Sequence, residues 1–427
     1  MNYLLKRGRL IDPLSNTDKI TDIFISNGVI EKIGENISIS VAHEEINLEN
    51  KIIAPGFIDI HAHLREPGFE HKETIETGIL SAIYGGFTAI CCMPNTNPAI
   101  DSKEVAQKII AKSNSTNYGI VDVYPIAAAT KNREGKILNN FDDLKKSGCV
   151  AITDDGAPIW DDNLMELVLL ESKKLNLPII QHAEIPELAN NGVMNYGKKS
   201  IELGVNGIPN ISEYKMVLRD INLSEKTNGI YHVAHISAKE SIELVRRAKE
   251  KKLKVSCEVT PHHFTLTDEI VSRENTNTKM NPPLRTKEDL DAIIEGLIDN
   301  TIEIIATDHA PHTDIEKKQN FETAPFGIVG FETAIGLTFT NLVEKGMLSV
   351  KNVIEKLSTN PRKLINKNIK IEVGENACFT FIDPKIKWKV DSLLFKSKSK
   401  NTPFNNFILT GKSVGIFNNG NLFMTIV

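Results

Sequence analysis

Residues 56–95, GFIDIHAHLREPGFEHKETIETGILSAIYGGFTAICCMPN, decide the fold. GFIDIHAHLR (56–65) and GFTAICCMPN (86–95) are short apolar runs. Between them, ETIETGILSAIYG repeats apolar residues every three to four positions and keeps its charges on the other face. That is strand, helix, strand. The unit recurs along the chain: further runs stand at 120–131 (IVDVYPIAAATK), 148–156 (GCVAITDDG), 177–184 (LPIIQHAE), 229–237 (GIYHVAHIS), 253–263 (LKVSCEVTPHH) and 302–312 (IEIIATDHAPH), eight in all. Strands alternating with helices imply a parallel α/β sheet, and eight such units predict a closed (β/α)8 barrel of the TIM type. The connection at 185–228 is the longest and should carry an inserted helix or loop, while helical patterns at 331–345 and 350–358 complete the barrel.

Both chain ends read differently. DIFISNGVIEKIG has two β-rich runs around Ser26-Asn27-Gly28, a hairpin signal. ACFTFIDP and FILTGKSVGIFNNGNLFMTIV are also β-rich, with Gly-Lys and Asn-Gly turns expected between their strands. We therefore expect a composite β domain from residues 1–52 plus 368–427, beside a barrel spanning 53–367. KSKSKN (396–401) reads as a basic surface turn.

Composition narrows the function. The chain has 427 residues with 50 Lys and Arg against 55 Asp and Glu, and a net charge of −5 argues against a nucleic-acid partner. No apolar run approaches a membrane span, and the N-terminal MNYLLKRGRLIDP lacks the apolar core of a secretory signal. The five cysteines (Cys91, Cys92, Cys149, Cys257, Cys378) show no Cys-x-x-Cys pair and read as buried thiols of a cytoplasmic protein.

Nine of the 11 histidines lie in or just after the ends of the apolar runs, where barrel active sites form. In His61-Ala62-His63 the two imidazoles lie two apart on a strand, face one side, and can hold one metal ion. His182, His235, an acid at 154 or 155 and Asp308 add ligands at other strand ends. Imidazole with carboxylate suits Zn²⁺ best, with Mn²⁺, Fe²⁺ or Co²⁺ as alternatives. Asp308 ends a strongly apolar run, where an unpartnered carboxylate is costly. Arg65 can clamp a carboxylate in two-pronged fashion, and Asn95 and Asn281 can bond an amide or carboxylate, so the mouth suits a small anionic metabolite. His232, three before His235, should face the opposite side and pack against a helix. His262 and His263 should orient neighbours, His309 should back Asp308, and His71 reads as a loop residue.

Taken together, GFIDIHAHLREPG, MPNTNP, TDDG, QHAE, HVAHIS, TPHH, KMNPPLR and ATDHAPH resemble the amidohydrolase superfamily, and within it the long bacterial (class I) dihydroorotases, over about residues 52–335. The resemblance implies reversible cyclisation of N-carbamoyl-L-aspartate to L-dihydroorotate in pyrimidine synthesis, on one or two Zn²⁺ ions. By position, His61 and His63 match the ligands of the more buried metal. Asp155 matches the bridging carboxylate, with Asp154 as the alternative. His182 and His235 match the second metal's ligands, and Asp308 matches the catalytic aspartate, itself a ligand. Arg65, Asn95, Asn281 and His312 match substrate contacts. PFGIVG matches the substrate-covering segment, with Phe326 and Gly327 giving backbone contacts. A homodimer and an association with aspartate carbamoyltransferase are also implied. Another cyclic-amide hydrolase (an allantoinase or dihydropyrimidinase) is the competing enzyme reading, but those relatives generally bridge their metals with a carboxylated lysine where this chain offers Asp155. A non-catalytic partner of the carbamoyltransferase is disfavoured by the complete ligand set.

Overall fold

The computed structural model describes residues 1–116 and 119–425. The quoted βαβ unit forms as its pattern predicts. Phe57–Ala62 and Phe87–Cys92 are parallel strands, joined by the helix Ile75–Gly85. Thr74 caps that helix by accepting from the Thr77 amide, and Gly86 ends it in a left-handed conformation (φ 87°) that a Cβ would strain. Ile75, Ile79, Ala82 and Ile83 are buried against the sheet.

The remaining barrel strands are Asp122–Pro125 continued by Ala127–Ala128, then Ile152–Thr153, Ile179–Gln181, Tyr231–Val233, Val255–Val259 and Ile304–Ile305. Neighbours pair in parallel around the ring. A parallel bridge between Ala62 and His309 closes the last strand onto the first, with the His63 amide donating to the His309 carbonyl at 2.8 Å. Among the described residues this makes eight strands, each of the eight apolar runs supplying one. Ile58, Ile60, Ala89, Cys91, Ile126, Ala151, Ile180 and Ala306 fill the interior, so the barrel is a packed core with its opening reserved for polar groups. The long connection holds the helices Pro186–Ala189, Lys198–Leu203 and Asn210–Thr227 and a two-stranded parallel pair.

A second, eight-stranded sheet gathers both chain ends. Its seam is the antiparallel pairing of Ile52–Pro55 with Phe379–Lys389, and Ile52–Pro55 runs almost directly into the first barrel strand. Asn27 and Gly28 (φ 50° and 84°) make the tight turn between Thr17–Ser26 and Val29–Gly34. The expected Gly-Lys turn is not one. Gly411 and Lys412 lie inside the strand Ile408–Asn418, where an irregular register lets Gly411 (φ 83°) pass the Phe339 ring at a distance no Cβ would allow. Residues 426–427 at the end of the second β-rich stretch lie outside the described residues. All five cysteines are free and buried. No helix among the described residues is long and apolar enough to cross a membrane.

Candidate active site

At the carboxyl end of the barrel lies a cavity of about 390 Å³ lined by His63, Arg65, Asn95, Asp155, His182, His235, Asn281, Asp308, His312, Phe326 and Gly327, among others. His61 sits beneath it, fully buried. All twelve residues singled out from the sequence therefore converge on one place.

The first strand brings its two imidazoles together through an irregularity. Between Asp59 and Ala62 the register slips, so that two residues oppose one on the neighbouring strand. Ile60 then fills the interior while His61 turns to the same mouth as His63. Each ring is fixed at Nδ1. His61 Nδ1 lies 2.6 Å from Glu258 Oε1, and His63 Nδ1 lies 2.8 Å from Asn95 Oδ1. Oxygen acceptors at those nitrogens suit a proton on Nδ1, so that the neutral rings would turn both Nε2 lone pairs to a cation, while the protonated rings turn an N–H there. His61 Nε2 is 3.5 Å from Asp155 Oδ1 and 3.7 Å from Asp308 Oδ1, and His63 Nε2 is 3.0 Å from Asp308 Oδ1.

Two sets of ligand atoms are compact enough for a metal ion, His61–His63–Asp308 and His61–Asp155–His235, each within 4.8 Å. The chemistry fits. His61 Nε2, Asp155 Oδ1 and His235 Nδ1 are buried without a hydrogen-bond partner, a costly arrangement that a cation would relieve. Burial alone would push Asp308 up, but the His63 hydrogen bond and the nearby His61 and His235 rings hold it well below the usual carboxylate range. Asp155 behaves alike, with burial overcome by His61 and His235. Of the two adjacent acids, Asp155 faces the cavity, whereas Asp154 turns away to accept from the Thr130 amide and hydroxyl. His182 belongs to neither set: its Nδ1 lies 3.0 Å from His235 Nε2.

Opposite the metal-sized sets, Arg65 reaches across the mouth. Its Nε donates to the Pro311 carbonyl at 3.1 Å and its Nη2 to His312 Nε2 at 3.1 Å. Burial, then Arg65 and Lys72, drive the His312 ring far down, so it is a neutral buttress for the guanidinium. Asn281 Oδ1 is buried in the same wall without a partner. Gly327 lines the cavity, yet its amide donates to Lys279 O and its carbonyl accepts from Asn401 Nδ2 and Lys317 Nζ. Its polar groups are thus spent on the protein. What it offers a ligand is room, because a Cβ there would meet Ala310 Cβ at 2.6 Å.

Several sequence readings change. His232 does not pack against a helix; its Nε2 lies 3.3 Å from Glu258 Oε2 and its Nδ1 2.6 Å from Ser256 Oγ. The parity argument fails because His235 (φ 30°) leaves the extended conformation. KSKSKN is no surface turn. Ser397, Ser399 and Asn401 are buried in alternation, with Ser397 Oγ on Glu73, Ser399 Oγ on the Lys72 carbonyl and Asn401 on the active-site wall. His309 lies between Glu73 and the Gly330 amide, behind Asp308. His263 bridges Thr260 and the Pro282 carbonyl, and His262 lies beside it; neither joins a metal-sized set. His71 is an exposed loop residue. Glu258 and Asp59 were not foreseen. Asp59, raised to about 7 by burial, accepts from the Thr307 and His61 amides and ties the first strand to the last. Both are lone acids inside apolar runs, the same signal that marked Asp308.

A parallel (β/α)8 barrel with paired metal-sized His/Asp sets at its mouth and a β-rich sheet at its flank has the donor set of a metal-dependent hydrolase. Solved structures agree on the fold: an L-hydantoinase (dihydropyrimidinase) from Arthrobacter aurescens aligns over 98% of this chain and 95% of its own, with a TM-score of 0.88 at 23% identity. A D-hydantoinase aligns with a TM-score of 0.85 at 21% identity, over 99% and 95% of the two chains. Residues 50–241 match the Dihydro-orotase-like family model. The dihydroorotase of Acetivibrio thermocellus is 48% identical over 98% of both chains, and that of Endomicrobium trichonymphae 46% identical over 99% of both. The chain belongs to the dihydroorotase family.

Proposed function

We propose that this chain interconverts N-carbamoyl-L-aspartate and L-dihydroorotate, a step of pyrimidine synthesis, with zinc held by His61, His63, Asp155, His182, His235 and Asp308. The observation that carries this reading is the convergence, on one cavity, of two Nδ1-fixed imidazoles and two depressed carboxylates with Arg65 and Asn281 opposite. Bound zinc would activate a water for attack and polarise the ring carbonyl. Asp308 stands beside that point with an oxygen on His63. In hydrolysis it takes a proton from the attacking water and returns it to the ring nitrogen as the C–N bond breaks. In cyclisation it removes a proton from the carbamoyl nitrogen, which attacks the side-chain carboxyl as water leaves. Arg65 holds the carboxylate that does not react, and His312 behind it keeps the guanidinium oriented. Asn95 holds His63 and offers its amide to the same wall, as do Asn281 and the Phe326 backbone.

Buried free cysteines support the cytoplasm as its place of work. A homodimeric state and an association with aspartate carbamoyltransferase complete the reading, on family resemblance. The test is metal analysis with turnover of dihydroorotate, allantoin, dihydrouracil and hydantoin. Zinc-dependent turnover of dihydroorotate is expected, and hydrolysis of allantoin but not dihydroorotate overturns the assignment.

A further inference from the structure

The segment 395–402 connects two strands of the end-built sheet, Phe379–Lys389 and Ile408–Asn418, yet it reaches into the barrel mouth. Asn401 is buried within it, 2% exposed. Its Oδ1 accepts from the His312 amide at 3.1 Å. Its Nδ2 donates to the Ala310 carbonyl at 3.1 Å and the Gly327 carbonyl at 3.0 Å. Its own carbonyl accepts from the Val329 amide at 2.9 Å. One side chain thus ties the loop after the last barrel strand, which carries His312 and through it Arg65, to the segment carrying Phe326 and Gly327.

We propose that Asn401 is a positioning residue for the substrate's carboxylate, through which the C-terminal β-rich region assembles the anion-binding wall. This rests on the substrate reading given above for Arg65 and His312. The physical case is one of reach and satisfaction. Near Asn401 the two loops also meet through the His309–Ile328 bridge, with the Ala310 amide on the Ile328 carbonyl, and through Lys317 Nζ on the Pro325 and Gly327 carbonyls, so Asn401 adds the contacts nearest His312. A buried carboxamide with its acceptor and both donors used has one orientation, so the spacing between Arg65 and Phe326 is set before a ligand arrives. Without it, the His312 amide and the Ala310 carbonyl lose their partner while the Gly327 carbonyl keeps only Lys317 Nζ, and the wall must shift or admit water to satisfy them. Asp308, a member of one metal-sized set, stands on this same loop two residues before Ala310, but the bonds of Asn401 go to Ala310, His312, Gly327 and Val329 and to no residue of either set. The loss should therefore fall on binding and leave the chemical step.

The experiment compares the parent enzyme with Asn401→Ala and with Ser399→Ala. Ser399 is a similarly buried residue of the same segment whose hydroxyl meets the Lys72 carbonyl. For zinc-loaded Asn401→Ala, KM for dihydroorotate should rise at least tenfold, with kcat within about threefold and metal content unchanged. Ser399→Ala should stay within twofold of the parent in KM. If Asn401→Ala does not fold, Asn401→Ser, able to keep one of the bonds, takes its place and should give a smaller rise of the same kind. A folded, metal-replete Asn401 variant with KM within twofold of the parent overturns the proposal. So does one that loses kcat at unchanged KM, or an equal KM rise in Ser399→Ala. A parent that does not turn over dihydroorotate refutes the substrate reading alone. The same KM ratios, taken on whichever cyclic amide the parent accepts, then decide the role of Asn401.

Discussion

Glu258 Oε1 lies 2.6 Å from His61 Nδ1, with both side chains fully buried, so the carboxylate holds the one imidazole shared by both metal-sized sets. The Glu258 carboxylate meets three groups of the site: its other oxygen lies beside His232 Nε2, and the His235 amide donates to Oε1 at 3.4 Å. Such a partner fixes the ring's orientation and raises its basicity.

Glu258→Gln keeps the volume but removes the charge. We expect metal affinity to fall about 10- to 100-fold, read by competition with a chelator, with activity recovering in excess zinc. Unchanged affinity would reduce Glu258 to a packing role.

Arg65→Met tests the anion wall. The lost charge-assisted pair is worth about 1.5–3 kcal/mol, so KM for dihydroorotate should rise about 10- to 150-fold with little change in kcat. Since the guanidinium also braces Pro311 and His312, metal content must be shown to equal the parent's. An unchanged kcat/KM would remove Arg65 from substrate binding.

The barrel was legible because each strand is a short apolar run and each run ends in polar residues that have no place in a core. The metal-sized sets were legible for the same reason, although the two-residue spacing of His61 and His63 works only with the register slip before Ala62. Parity misjudged His232 because it assumes an extended chain through His235. Composition misjudged 396–401. The lysines advertise solvent, while the burial of Ser397, Ser399 and Asn401 depends on Glu73 and Gly327, both distant in sequence. Glu258 and Asp59 lie inside their runs and not at the ends, and the partners that give them a role lie on other strands.

Lys356, far from the mouth, gives a pH prediction. It is 2% exposed, donates to Asn300 Oδ1 and the Ile302 carbonyl, and burial lowers it to about 8 from the usual 10.5. Below pH 8 both folded and unfolded chains bear the charge, and the folded state carries the full cost of burying it. Between pH 8 and 10.5 the unfolded chain binds a proton that the folded chain has released, so the lysine's contribution to stability rises with pH. The parent should thus gain up to about 3 kcal/mol on Lys356→Met across that window, seen as a shift of the difference in unfolding midpoints in the parent's favour as pH rises. A pH-independent gap would show that Lys356 does not titrate there.

Asp308 gives the most direct test of the chemistry. Its carboxylate contacts His63 Nε2 at 3.0 Å, lies 3.7 Å from His61 Nε2, and is 6% exposed at the floor of the cavity. An acid that only fixed a neighbour would tolerate an amide in its place. One that shuttles a proton would not, because an amide can neither accept nor return it. Asp308→Asn should therefore keep the fold and lower kcat at least ~10²–10⁴-fold in both directions. Asp308 also belongs to a metal-sized set, so metal content and turnover must be read on one preparation with zinc in excess. A metal-replete variant keeping more than about a tenth of the parent's kcat would rule out the shuttle, since that is less than the smallest loss general acid–base catalysis leads us to expect. If the variant instead loses its metal, dihydroorotate binding to the zinc-reconstituted protein separates the roles. Parent-like binding with no turnover assigns the loss to proton transfer, and weakened binding assigns it to a metal position that the variant no longer holds as the parent does.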